Sequence, residues 1–231
     1  MKRIFILTLA ATLMFTGCKG GNQNQKDEIA PVEEIAEGES LQGESEEIAD
    51  QSAETTSDTE NMIQETKYTI QTSMGPMVVK LYDETPLHKA NFEKLAKNHF
   101  FDGILFHRVI NGFMIQVGDP LTKDSTQVDR WGTGGPGYTI PAEIISGLTH
   151  KKGALAAARR GDSVNPAKES SGSQFYIVQD ENGCKHLDGE YTIFGEVVSG
   201  FETIDKIASA PTDFRDKPLE NIEIISVSET K

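Results

Sequence analysis

The 231-residue chain is poor in cysteine, with only Cys18 and Cys184, so no disulfide framework organises it. It is also short of positive charge. Lys and Arg number 22 against 36 Asp and Glu, for a net charge of −14, and no basic patch marks a nucleic-acid surface. The longest apolar run, residues 4–15 with only Thr8 and Thr12 interrupting it, is too short to cross a bilayer. No pair among His88, His99 and His150 sits at ligand spacing with a carboxylate, so these read as surface or helix-packing residues and no metal is expected. The glycine-rich stretch Gly132-Thr-Gly-Gly-Pro-Gly137 has no Lys-Ser/Thr behind it and no β-run before it, which makes it a poor phosphate cradle. No cofactor is expected.

What is present divides the chain into three. Lys2 and Arg3 ahead of the apolar run, and Phe15-Thr16-Gly17-Cys18 behind it, have the order and size of a secretory signal. Small residues before a cysteine resemble a bacterial lipobox, which implies loss of residues 1–17 and acylation of Cys18 as the new N-terminus. The other reading is an ordinary cleaved signal with a chance cysteine. Residues 19–66 carry fourteen acidic side chains, two lysines and no aromatic residue, so −12 of the net charge lies there and only −4 from Lys67 onward. Such a segment cannot bury enough apolar surface to offset its ordering entropy, and like charges extend it. It reads as a solvated tether, with an acidic partner-binding arm as the alternative. The expected layout is a signal over 1–17, a lipidated Cys18 and acidic linker over 18–66, and a folded domain over 67–231. That layout implies a chain anchored to a membrane of the cell envelope, outside the cytoplasm.

From Lys67 the pattern becomes short β-type runs separated by turns. Residues 68–72 and 77–82 alternate around a turn at Gly75-Pro76, and 104–110 and 113–117 flank a second turn at Asn111-Gly112. Further strands fit 153–158, 173–179, 192–198 and 222–227. Thr85 as N-cap and Pro86 at the first helical position open a helix whose apolar face is Phe92, Leu95, Ala96 and His99. Phe201, Ile204, Ile207 and Ala208 make a second amphipathic helix. Eight strands and two helices predict an all-β-dominated fold, a closed eight-stranded antiparallel barrel whose interior side chains fill, leaving any site on its outside.

Three blocks carry the chemistry: Phe106-His-Arg-Val-Ile-Asn-Gly-Phe-Met-Ile-Gln-Val-Gly-Asp119, Ser171-Gly-Ser-Gln-Phe-Tyr-Ile-Val178, and His186-Leu-Asp-Gly-Glu-Tyr-Thr-Ile-Phe-Gly-Glu196. An arginine among Phe, Met and Gln keeps its charge at any accessible pH and offers a rigid fork of donors. In this order and spacing the blocks resemble the cyclophilin family of peptidyl-prolyl cis-trans isomerases, from about Lys67 to Thr230. The resemblance implies a closed eight-stranded barrel capped by two helices, with the groove on its outer face. It implies Arg108 as the catalytic arginine, Gln116 as the partner that orients it, and His107 beside them in the groove. It implies a proline pocket walled by Phe113, Met114, Leu187 and Tyr176, the last replacing a phenylalanine. Ala158 and Arg159 fall where backbone holds the substrate chain, Gln174 lines the groove, and Tyr191 stands where many members carry histidine. Cys184 and the turn at Asp188-Gly189 are given no chemical role.

These residue types suit rotation about an Xaa-Pro bond. Resonance gives that bond a barrier of about 18–20 kcal/mol, and uncatalysed exchange takes on the order of tens to hundreds of seconds. No bond breaks, so an apolar pocket for the ring and a fixed donor for the twisted amide suffice. The expected partners are proline-containing polypeptides or unfolded exported proteins, the expected state a monomer. The alternatives are a proline-directed binding or chaperone module without turnover, and an interaction protein acting through its acidic tether. Trp131 lies in an insertion of the 119–135 loop and is not placed relative to the groove.

Overall fold

The computed structural model describes residues 65–231, so the expected signal over 1–17, Cys18 and nearly all of the expected linker lie outside the described residues. The elements in chain order are β1 (Lys67–Thr72), β2 (Gly75–Leu81), α1 (Pro86–Lys97), β3 (Arg108–Ile110), β4 (Met114–Val117), β5 (Thr139–Ile140), β6 (Ala154–Arg159), β7 (Ser170–Val178), β8 (Ile193–Ser199), α2 (Phe201–Ala208) and β9 (Ile224–Glu229). All pairings are antiparallel, in the order β3-β4-β7-β6-β8-β2-β1-β9, with the two-residue β5 pairing β7 off that path.

The expected closed barrel is not what forms. The sheet is an open, curled half-barrel whose eight strands turn through 218° about the axis, with edges 14 Å apart, capped by helices. The reason lies in residues 104–107, which were expected to be strand. Ile104, Leu105 and Phe106 are buried in succession, at 0%, 7% and 2% exposure. The ladder lapses because Ile104 N–H turns back to the Phe101 carbonyl (3.0 Å) and Leu105 N–H is taken by the Thr122 hydroxyl (2.9 Å) instead of by β9. β3 shrinks to three residues. Toward β9 there is no continuous ladder, only Phe106 N–H to the Ile222 carbonyl (2.9 Å), Gly103 N–H to the Ile224 carbonyl (2.8 Å), Ile224 N–H to the Ile104 carbonyl (2.9 Å), and a single bridge at Leu105 and Glu223.

Turn and cap chemistry also shift. The first hairpin turns at Ser73-Met74, because Thr72 pairs directly with Gly75. The second has a three-residue loop, Asn111-Gly112-Phe113, in which Gly112 takes φ +75°. Thr85 gives α1 no side-chain cap. Glu143 does so from a distant loop, its carboxylate accepting from the backbone N–H of Leu87 and of His88, both at 3.0 Å. Phe92, Leu95 and Ala96 are buried as their spacing requires, whereas His99 lies past the helix end with φ +55° and an exposed ring.

Alternation along each strand divides the core. Ile115, Val117, Leu155, Ala157, Phe175 and Ile177 point inward with Phe92 and Phe194 into one apolar cluster that fills the half-barrel. The intervening residues of the same strands form a smaller cluster on the outer face: Met114, Ala154, Ala156, Ala158, Tyr176 and Val178. The functional groups sit on that second face.

Candidate active site

Arg108 opens β3 and pairs in register with Gln116 of β4, which pairs in turn with Tyr176 of β7. The pairing sets these three side chains in a row across the outer face. Beside them is a pocket of about 130 Å³ lined by Arg108, Phe113, Met114, Gln116, Ala158, Arg159, Tyr176, Leu187 and Tyr191. It exists because β6 supplies alanines where larger side chains would fill the space. Phe113 comes from the Gly112 loop, its ring stacked on His186 at 5.8 Å, and Leu187 from the short 3-10 turn Lys185–Leu187. Tyr191 meets Tyr176 edge-on at 5.8 Å.

The guanidinium of Arg108 is 44% exposed, and its single ion-pair partner among the described residues is Asp216, 3.7 Å from Nε. The Gln116 amide does not bond to it: Nε2 donates to Gln174 Oε1 at 3.1 Å, and Gln174 Nε2 donates to the carbonyls of Gly132 and Gly134. Gln116 therefore faces Arg108 but is tied to the glycine-rich loop. Asp216, with φ +63°, had no signal in the sequence; its own carbonyl accepts from Val109 N–H at 2.8 Å and so fixes it beside Arg108.

His107 is 7% exposed and neither ring nitrogen is hydrogen-bonded. Burial above all, with Arg108 adding to it against the pull of Asp119, lowers its pKa to about 4, so the imidazole is neutral at physiological pH. Arg159 is not a free cation. Its side chain is 6% exposed, lies 4.5 Å over the Tyr191 ring, and bonds to the Glu190 carbonyl and to Asp162. Its side chain is thereby fixed at the pocket wall, beside Tyr191 and Ala158.

Two residues set aside in the sequence lie behind the pocket. His150, read there as a surface or helix-packing residue, is 1% exposed. Its Nδ1–H donates to Asp188 at 2.8 Å, which leaves Nε2 to accept from the Tyr176 hydroxyl at 2.9 Å. Burial lowers the His150 pKa against the opposing hydrogen bond from Asp188, which keeps this tautomer neutral. Burial works to raise the Asp188 carboxyl and is outweighed by the two hydrogen bonds from His150. Cys184 is buried and burial pushes its thiol up to about 11, which makes it inert as a nucleophile.

Two grooves open from the pocket. One, of about 800 Å³, runs past Gln116, Ala158, Arg159 and Gln174 along the glycine-rich loop. The other, of about 510 Å³, runs past His107, Arg108 and Gln116 to Trp131 and Phe214. The set thus offers a cationic donor beside an apolar cup, on a channel able to hold extended chain on both sides. Among the described residues no three His, Cys, Asp or Glu side chains converge on a metal-sized point.

The family model described as cyclophilin type peptidyl-prolyl cis-trans isomerase/CLD matches residues 67–229. The peptidyl-prolyl cis-trans isomerase ppi1 of Schizosaccharomyces pombe is 40% identical over 158 residues, 68% of this chain and 94% of that protein. Peptidyl-prolyl cis-trans isomerase B of Bacillus subtilis is 46% identical over 125 residues, 53% of this chain and 76% of its own length. A Cryptosporidium parvum cyclophilin type isomerase, crystallised in the presence of the dipeptide Ala-Pro, superposes with a TM-score of 0.63 at 29% identity, over 71% of this chain and 99% of that one.

Proposed function

This chain belongs to the cyclophilin-type peptidyl-prolyl cis-trans isomerase family and is an enzyme of that class, and from that premise we propose that Arg108 and the cup beside it carry the reaction. The observation that supports this most is the half-exposed guanidinium at the rim of an apolar pocket sized for one small ring. The presence of Ala-Pro with the Cryptosporidium parvum relative supports proline-containing peptides as its ligands. Phe113, Met114, Tyr176, Leu187 and Tyr191 hold the proline ring. The backbone of Ala158 and Arg159 and the side chain of Gln174 hold the flanking chain. In the planar amide the nitrogen lone pair is delocalised; at the twisted transition state it is free to accept. A guanidinium donor fixed nearby gains most at that point, which lowers the barrier. Asp216 and the backbone it is tied to restrain the arginine. Gln116 bonds Gln174, which in turn holds the glycine-rich loop, and a neutral His107 adds no competing charge.

Substituting Arg108 by Ala tests this. Exchange on a proline tetrapeptide, followed by NMR, is expected to slow by about 10²–10³-fold in kcat/KM, the usual cost of removing one transition-state donor. Unchanged exchange would sink the assignment.

The finer reading is that the enzyme serves polypeptides exported from the cytoplasm, held at a membrane by acylated Cys18, with 19–66 as spacer. The order of basic residues, apolar run and small-small-Cys supports it. Incorporation of labelled palmitate that is abolished in Cys18→Ser, together with loss of the chain from the membrane fraction, is the expected outcome.

A further inference from the structure

The groove on the far side of Arg108 is not needed to hold a proline ring, yet it is built. Phe214 is 88% exposed, the most exposed large apolar side chain among the described residues. It is also displayed rigidly. Asp213 N–H donates to the Lys217 carbonyl at 2.8 Å, and the Asp213 carboxylate accepts from the N–H of Arg215 (2.8 Å) and of Lys217 (3.0 Å). The same turn is pinned to β3 through the Asp216 carbonyl and Val109.

Across from it, Trp131 ends a 3-10 turn and donates its Nε1–H to the Asp124 carbonyl at 3.3 Å. Asp119, fully buried, holds the next residues by accepting from the N–H of Gly132 (2.5 Å) and of Gly134 (3.1 Å). Arg215 and Asp129 join the two loops at 3.2 Å.

Each cation of the groove has a carboxylate partner, Arg215 with Asp129, Lys217 with Asp213 and Arg108 with Asp216, and two of them also stand over its rings, Arg215 at 5.2 Å from the Phe214 centroid and Lys217 at 6.0 Å from that of Trp131. At its inner end His107 is neutral. What remains on offer is aromatic and aliphatic surface from Trp131, Phe214 and Val128. An apolar side chain laid along Trp131, Phe214 and Val128 would remove exposed apolar area from water. The groove is continuous with the proline pocket, sharing Arg108 and Gln116 with it, and the glycine-rich groove leaves that pocket on its Ala158 and Arg159 side. A chain threaded through the pocket therefore enters one groove and leaves by the other.

We propose that Trp131 and Phe214 form a subsite for a bulky apolar side chain of the polypeptide itself, on one flank of the proline, and that this subsite selects among Xaa-Pro sequences. The inference rests on the proposed function for its ligand, but its test does not rest on turnover. Trp131 is the only tryptophan in the chain, so its emission reports occupancy directly. Full-length protein would be titrated with proline hexapeptides carrying Leu or Ala two positions from the proline, on either side.

The expected result is that Leu on one flank shifts Trp131 emission and binds about tenfold more tightly than Ala there. In Phe214→Ala that preference falls to near unity; in Phe214→Leu most of it returns; in Ile225→Ala, an exposed residue of β9 away from the groove, it is unchanged. Equal binding of Leu and Ala peptides by the natural protein, or an equal preference in Phe214→Ala, would overturn the subsite. So would a Phe214-dependent dimer in sedimentation, which would assign the aromatic pair to a second copy. If Arg108→Ala binds these peptides with the same preference but the natural protein never accelerates exchange, the proposed reaction fails and the subsite stands.

Discussion

The two faces of β4, β6 and β7 are built by the same residues in alternation, yet they differ in what they tolerate. The inner face is wholly apolar and wholly filled, with Ile115, Leu155 and Ile177 at 0% exposure. The outer face mixes three alanines, a methionine, a tyrosine with its hydroxyl bonded to buried His150, and at its rim Gln116 and Arg108. Filling makes the inner face a source of stability with no room for a ligand. Small side chains and satisfied polar groups make the outer face a receptor. A period of two lets one strand do both.

The sharpest way to break this contrast is to damage the inner face alone. Ile177→Ala should cost about 2–5 kcal/mol in urea unfolding while the folded fraction keeps its KM. Arg108→Ala should behave in the opposite way, losing activity with its melting temperature nearly unchanged, because an exposed pair at 3.7 Å contributes little to folding. A KM shift in the first, or a large melting shift in the second, would mean the faces are coupled.

Acid should expose the difference next. The folded pKa of His107, about 4, lies below its ordinary 6.5, so between those values the unfolded chain takes up a proton that the folded chain refuses. Its contribution is complete above pH 6.5 and is lost as pH falls toward 4, by roughly 3 kcal/mol at most. Buried His88 and His150 are lowered in the same direction, with burial the leading cause in each. Urea midpoints should therefore fall across that window, and His107→Gln should flatten the slope. A slope identical to that of the natural protein would count against His107 as its source. The smallest effect belongs to Tyr176→Phe. It removes the hydroxyl that His150 Nε2 accepts from and should cost about 1 kcal/mol, with the cup retained and KM little altered. A loss several times larger would show that the hydrogen bonds through His150 and Asp188 hold the wall in place.

Much of the site was legible because it is written in contiguous blocks. Residues 106–119 carry Arg108, Phe113, Met114 and Gln116, and local alternation with one turn is enough to bring them to one face. The misreadings share a different cause. Asp216 reaches Arg108, and Phe214 and Trp131 line the groove beside it, from segments remote from β3, and no periodicity connects them. His150 read as a surface or helix-packing residue because its partners, Asp188 and Tyr176, are 38 and 26 residues away. Thr85 looked like a cap, but the capping carboxylate is Glu143, 56 residues from the N–H it accepts. The closed barrel failed at Ile104-Leu105-Phe106, three apolar residues that read equally well as strand or as irregular buried chain.

By itself the sequence determined eight of the nine strands and both α-helices, the chemistry of the pocket and its resemblance to a family, because these depend on residue type and short-range spacing. Only the tertiary structure decided that the sheet stays open, that the Gln116 amide donates to Gln174, and that an aromatic groove flanks Arg108. Each of those depends on which distant backbone or side chain takes up a given hydrogen bond or fills a given space, and that choice is made by packing of the whole domain.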